Sequence, residues 1–235
     1  MTLSSNTPHK CYPTLWRWVG VLLCALTCLV FATPDPQALQ RDLVARFGPA
    51  RVALLQDWLQ TLNQTRNLGG DEAKLRRIND FVNRNITFDS DINIWQQTDY
   101  WATPLETIGI GRGDCEDFAI LKYVSLRQTG VATSKLRLIY VKAHLQTPVG
   151  PQTQAHMVLA YYASPSADPL ILDNLNPAIL PASRRNDLNP VFSFNSEGIY
   201  AGVSGRDKAA TGVGRLSRWA DALQRISNEG FSIDK

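Results

Sequence analysis

The chain has 235 residues, of which 44% are hydrophobic, 9% aromatic and 19% charged, a composition that excludes a disordered chain, a collagen-like chain and a disulfide scaffold. It is long enough for one well-buried domain, or two small lobes sharing a core. Lys10 and Arg17 are the only Lys, Arg, Asp or Glu in the first 32 residues; the remainder carries 22 basic against 21 acidic residues, a near-neutral body that gives no electrostatic argument for a nucleic-acid partner.

Residues 1–32 read as a signal peptide. Lys10 and Arg17 form the basic region, Val19–Phe31 is mostly apolar, and Val30-Phe31-Ala32 suits signal peptidase. The apolar stretch Trp18–Ala32 is 15 residues, short of the roughly 20 that a spanning helix needs, so export with cleavage is expected over an anchor. Leu23 and Thr27 stand before Cys24 and Cys28 where a lipobox needs a small residue, which argues against lipidation. Cys11, Cys24 and Cys28 leave with this segment. Cys115 then remains as a lone thiol in an oxidising compartment, either buried and inert or reactive.

The body, residues 33–235, is expected to be one domain: a mainly helical lobe and loop over 33–113, a catalytic helix and sheet over 114–200, and a C-terminal segment over 201–235. Asp35-Pro36 starts the first helix, whose face Leu39, Leu43, Val44 and Phe47 ends at Gly48. A second carries Val52, Leu55, Trp58, Leu59 and Leu62; a third, capped by Asp71, carries Leu75, Ile78, Phe81 and Val82. Residues 85–113 form a long polar and aromatic connection with a capping box at Thr103-Pro104-Leu105-Glu106. Gly109, Gly111 and Gly113 predict a flexible approach to Asp114. A helix from Asp114 to about Gln128 closes at Gly130, and strand signals follow at Lys135–Lys142, Ala155–Tyr162, Pro169–Asn174 and Val191–Phe194. Val213–Ile226 predicts a closing helix. Helices followed by consecutive strands specify an α+β fold with an antiparallel sheet.

The informative run is Gly111-Arg112-Gly113-Asp114-Cys115-Glu116-Asp117-Phe118. Asp114 suits an N-cap, and Asp117 can bond back to the first turn. Cys115 then takes the first helical position, where unpaired N–H groups and the helix dipole favour a thiolate and could hold an oxyanion. Asp114, Glu116 and Asp117 argue the other way, because carboxylates within one turn raise a thiol's pKa. A histidinium or a bound Ca²⁺ would resolve the conflict; ordinary helix-start acids are the plain alternative.

A nucleophilic thiol also needs a base and an orienting group. Beyond the leader only His144 and His156 are available. His156 opens a strand on the face of Val158 and Ala160, and a register pairing 158 with 171 would set Asp173 opposite it. His144, at a strand end before a Pro/Gly loop, reads as a surface histidine. Asp89-Ser90-Asp91-Ile92-Asn93 imitates an EF-hand start, but Ile94 replaces the required glycine and Tyr100 the terminal glutamate, which excludes that motif. Trp95, Tyr100 and Trp101 either line a groove or belong to the core.

A Cys at a helix start with His and Asp on successive strands resembles the transglutaminase-like branch of papain-type folds. The Gly-Asp-Cys-Glu-Asp run, the 17-residue His156–Asp173 interval and the helical N-terminal lobe are similar to the LapG family, the bacterial transglutaminase-like cysteine proteinases of the periplasm, over most of residues 35–200. The resemblance implies a calcium-dependent endopeptidase that cuts the N-terminal region of a large RTX-type adhesin near paired alanines, releasing it and dispersing biofilm. It also implies sequestration by an inner-membrane cyclic di-GMP receptor. Carried over by position, the nucleophile is Cys115, the base His156, the orienter Asp173, and the Ca²⁺ ligands Asp114 and Glu116. Two carboxylates are too few for an ion that takes about six to eight oxygens, so carbonyls, waters or acids from 85–113 must supply the rest. Rival expectations are transglutaminase-type acyl transfer, a peptidoglycan peptidase (which more often completes its site with a second His) and a non-catalytic calcium-binding adaptor.

Overall fold

The computed structural model describes residues 1–2, 34–201 and 217–233. The signal segment 1–32, beyond its first two residues, and Val213–Leu216 of the expected closing helix lie outside the described residues. Everything below belongs to the unit Phe31–Lys235. No helix among the described residues is long and apolar enough to cross a membrane.

Three helices come first: α1 (Pro36–Phe47), α2 (Val52–Arg66) and α3 (Asp71–Asn85). Asp35 caps α1 by accepting from the Gln37 N–H at 3.0 Å, and Leu39, Leu43, Leu55, Trp58, Leu62, Leu75, Ile78 and Val82 are buried at helical spacing. The segment that follows is more ordered than a long connection suggests. It holds β1 (Thr87–Phe88), α4 (Asp91–Ile94), α5 (Pro104–Ile110) and β2 (Arg112–Gly113), with β1 and β2 paired in parallel. The capping box forms as read: Thr103 Oγ1 accepts from the Glu106 N–H at 3.2 Å, and Glu106 returns the contact to the Thr103 N–H at 2.8 Å.

The expected flexibility of the glycines is not what they provide. Gly111 ends α5 at φ 71°, a left-handed turn that side chains rarely adopt. A Cβ on Gly113 would stand 2.6 Å from Asp117 Cβ, so this glycine lets β2 pass against the next helix.

That helix, α6 (Cys115–Gln128), is buried continuously from Asp117 to Gln128, as a helix surrounded by packing must be. A six-stranded antiparallel sheet lies against it, ordered β6-β5-β4-β3-β7-β8, from β3 (Leu136–Thr147), β4 (Gly150–Tyr161), β5 (Leu170–Leu172), β6 (Leu180–Pro181), β7 (Leu188–Asn195) and β8 (Gly198–Ala201). Leu138, Met157, Leu159, Leu172 and Phe194 join the helical core, while Ile139, Val141, Val158, Ala160 and Ile171 form a second cluster with Ala182 and Leu188. The β3–β4 hairpin runs past the expected strand ends to a turn at Pro148-Val149, because its outer half is half-exposed and polar, which paired strands tolerate. His144 therefore lies within β3, exposed and hydrogen-bonded to Thr153 and Asn189.

The closing helix α7 (Ser217–Asn228) buries Trp219, Ala222 and Ile226. A charge cluster ties it to α1 and α5. Glu106 accepts from Arg46 and Arg225, each at 2.6 Å, and from the Tyr100 hydroxyl at 2.9 Å, and Arg46 also pairs with Glu229 at 3.2 Å.

Lys122 is buried in α6, where desolvation lowers its ammonium to about 7 against the pull of Asp173. Unfolded, it titrates near about 10.4, so the folded state binds fewer protons between these values. Its destabilising effect is fullest below pH 7 and fades as the pH rises. Lys122→Met is expected to raise the urea midpoint at pH 6, with a smaller gain at pH 9; equal midpoints at pH 6 would refute this.

Candidate active site

Asp114 caps α6 in extended backbone geometry (φ −97°, ψ −164°), its side chain accepting from the Glu116 N–H, while Asp117 returns a bond to the Asp114 N–H. Cys115 is thus the first helical residue and the only cysteine among the described residues. The N–H groups of a helix's first turn have no intrahelical acceptor. The sulfur packs toward β4 beside the backbone N–H of Met157. The β5 ladder has already ended at Leu172, opposite Leu159, so this part of β4 is not paired with it.

Burial, the charges of Glu116 and Asp114 and a hydrogen bond to Glu116 push the Cys115 thiol far up, and the Met157 N–H only partly offsets them. The thiol donates to Glu116 Oε2 at 2.7 Å.

His156 and Asp173 meet: Nε2 lies 2.8 Å from Asp173 Oδ1, both side chains being buried. The register that joins them differs from the expected one. Ala160 pairs with Ile171 and Leu159 with Leu172, so a continued ladder would set Leu175 opposite His156, and Asp173 reaches the ring diagonally. A shift of two residues preserves the face each side chain points to, which is why the pairing survives. Asn83 of α3 donates to the Asp173 carbonyl at 2.8 Å, and the Leu175 N–H donates to Asp173 Oδ1 at 3.0 Å. Arg185, which the sequence reading missed, donates to Asp173 Oδ2 at 2.7 Å. Burial raises Asp173, but the hydrogen bond and charge of His156, with Arg185, outweigh it and hold the carboxyl at about 2. As a carboxylate it fixes Nε2 as the protonated ring nitrogen and leaves Nδ1 for a thiol.

The acids form a second constellation. Ligand oxygens of Asp91, Asp114 and Asp117 lie within 4.8 Å of one another, and so do ligand atoms of Asp114, Cys115 and Glu116. Burial with the charges of Glu116, Asp117 and Asp91 pushes Asp114 up to about 10, and Asp91 and Asp99 are raised chiefly by burial. Asp91 Oδ2 accepts from the Tyr100 N–H at 2.5 Å, while Asp91 Oδ1 and Asp99 Oδ1 are buried with no partner. Carboxylates gathered from two elements with oxygens left unsatisfied fit a hard cation such as Ca²⁺. Asp91 lies in the segment 85–113 whose acids were expected to supply further ligands, inside the EF-hand-like run, though the sequence did not single it out. Trp101 proves to be core, stacked on Phe194 at 5.7 Å, whereas Trp95 and Tyr100 pack with tilted rings at 4.7 Å, half-buried in the loop that carries Asp99.

A helix-start cysteine beside a strand whose histidine is paired with an aspartate at the end of the next strand is the arrangement of the papain and transglutaminase class of thiol enzymes. Residues 60–187 match the family described as bacterial transglutaminase-like cysteine proteinase BTLCP. Among solved structures, EGTA-treated Legionella pneumophila LapG is 32% identical at a TM-score of 0.68, covering 83% of this chain and all of that one. Calcium-bound L. pneumophila LapG is 32% identical at 0.67, covering 82% and 99% of the two chains. No curated protein matches. The chain belongs to the bacterial transglutaminase-like cysteine proteinases, with their α+β fold.

Cys115→Ala is expected to lower proteolysis more than about a thousandfold with an unchanged melting temperature, and His156→Ala to be similarly severe. His144→Ala should remain active; if it is the more damaging histidine change, the base is misassigned. Asp173 is a carboxylate at about 2 folded and near about 3.9 unfolded. Its stabilising contribution is therefore complete above pH 4 and lost as the pH falls through 2. Asp173→Asn should flatten that part of the urea-midpoint profile, and an unaltered slope would contradict the assignment.

Proposed function

We propose that the chain is a periplasmic, calcium-dependent cysteine endopeptidase that cuts the N-terminal region of a large RTX-type adhesin, promoting biofilm dispersal under control of an inner-membrane cyclic di-GMP receptor. Adhesin, receptor and compartment rest on the family resemblance and the export signal. The calcium requirement is carried by one observation: the Cys115 thiol is hydrogen-bonded to Glu116 within a cluster of buried and half-buried acids, one of which, the buried Asp91, keeps an unpartnered oxygen. The calcium-bound form of the similar L. pneumophila LapG supports the same reading.

Asp91, Asp114 and Glu116 are the residues that would hold the ion, with Asp117 behind them bound to the Ala102 and Asp114 N–H groups. Bound there, Ca²⁺ supplies the positive charge that lets acids and thiolate share the site. A Glu116 committed to the ion would no longer accept from the thiol, as it does at 2.7 Å here. The proton of Cys115 then passes to His156 Nδ1, and the sulfur attacks the scissile carbonyl carbon. The Cys115 N–H at the helix start faces the developing oxyanion. The imidazolium returns its proton to the leaving amine, and water, deprotonated by His156, cleaves the thioester. Asp173 holds the ring throughout.

The test is cleavage of an adhesin N-terminal fragment against free Ca²⁺, with calorimetric titration of the ion. Chelation should abolish cleavage reversibly. Asp91→Asn should raise the Ca²⁺ needed for half-maximal cleavage at least about tenfold, the smallest loss usual when a group supporting a metal site is removed. Asp114→Ala/Glu116→Ala should be inactive at any Ca²⁺ concentration. Full activity in strong chelator would overturn the calcium requirement, and an uncut fragment the proposed substrate.

A further inference from the structure

We propose that Arg185 is a positioning residue for the reaction: held by Asp187, it fixes the carboxylate of Asp173 and, through it, the imidazole of His156. This rests on the cysteine-protease reading of the site.

Each oxygen of Asp173 has a separate restraint. Oδ1 accepts from His156 Nε2 at 2.8 Å and from the Leu175 N–H at 3.0 Å, while Oδ2 accepts from Arg185 Nη2 at 2.7 Å. Without Arg185 the carboxylate could swing about its Cβ–Cγ bond and take the ring with it. Arg185 is anchored in turn by a two-point contact: Nε lies 2.9 Å from Asp187 Oδ1 and Nη2 lies 2.7 Å from Asp187 Oδ2. The Asp187 carbonyl accepts from the His144 N–H at 2.8 Å, so the far end of the series is tied to β3. Arg185 Nη1 has no partner, which leaves the guanidinium committed to these two carboxylates.

Charge points the same way. His156, Asp173 and Arg185 have side chains 2% exposed or less, so their mutual fields are weakly screened. One cation between two carboxylates leaves one net negative charge, which a single imidazolium balances. With Arg185 neutralised, the buried Asp173 carboxylate would lose its cationic partner at Oδ2, while Asp187, whose side chain is 40% exposed, would be left to solvent. Lys122, the other cation near Asp173, is buried and lowered to about 7, a weaker substitute.

The experiment compares Arg185→Met, Arg185→Lys, Asp187→Asn and, as control, the exposed neighbour Arg184→Met. Cleavage of the adhesin fragment in saturating Ca²⁺ gives kcat and KM, and proton NMR of ¹⁵N-histidine-labelled protein reads the His156 Nε2–H resonance downfield. Arg185→Met should lower kcat by about a hundredfold, the scale of a misplaced catalytic group, leave KM unchanged, and shift or broaden that resonance. Arg185→Lys should recover part of both, and Arg184→Met should match wild type. Added to Asp173→Asn, Arg185→Met should cost nothing more, because it acts through the residue already removed. A wild-type kcat and resonance in folded Arg185→Met, or losses that multiply in the double variant, would overturn the proposal. Should Arg185→Met not fold, Asp187→Asn decides: a reduced kcat with a shifted resonance supports the relay, and neither change refutes it. If the wild-type protein cuts nothing, the protease reading fails, while the resonance still reports whether Arg185 governs His156.

Discussion

The carboxylates at the start of α6 hold the proton on Cys115, and the surrounding elements concentrate their charge rather than disperse it. Asp114 is kept in cap geometry, Gly113 clears the way for Asp117, and the Tyr100 backbone aims Asp91 into the cluster. A helix N-terminus ordinarily favours a thiolate by a modest margin. Here burial and the neighbouring Glu116 and Asp114 overwhelm that preference. The thiol therefore sits in surroundings that favour its proton, and the first turn of α6 itself carries no cation to offset them.

The other half of the site has the opposite character. His156 and Asp173 are paired and backed by Arg185, with Asp173 ionised over the whole working range. Nothing among the described residues needs to be added for that half to hold its geometry. One side of the site is held by hydrogen bonds and ion pairs among its own residues, while the other gathers carboxylates with an unpartnered oxygen.

The elements that read clearly from sequence are those whose signals are local. Asp35-Pro36, the Thr103 and Asp114 capping boxes and the stripes of α1 to α3 all use contacts within four residues. Cys115, His156 and Asp173 stood out because few residue types perform thiol chemistry, and residues 33–235 contain one cysteine and two histidines. The exact pairing of β4 with β5 was not legible, since a two-residue slip leaves the same hydrophobic faces and differs only in the turn. Arg185 was hidden for a related reason. An arginine in a Ser-Arg-Arg-Asn turn looks like solvated surface, and only the folded path from β6 to β7 buries it against Asp173. Asp91 was legible only as one of the acids of 85–113, because its approach to Asp114 depends on the folded path of that segment.

The charge cluster of Arg46, Glu106, Arg225 and Glu229 joins the first helix of the body to the last, with Tyr100 hydrogen-bonded into it. The Tyr100 backbone N–H also donates to Asp91, so the segment that presents this acid is braced, through Glu106, by guanidinium groups from α1 and α7. The acid cluster thus has a remote lever: loosening the α1–α7 contact would slacken the segment that aims Asp91 at the helix start.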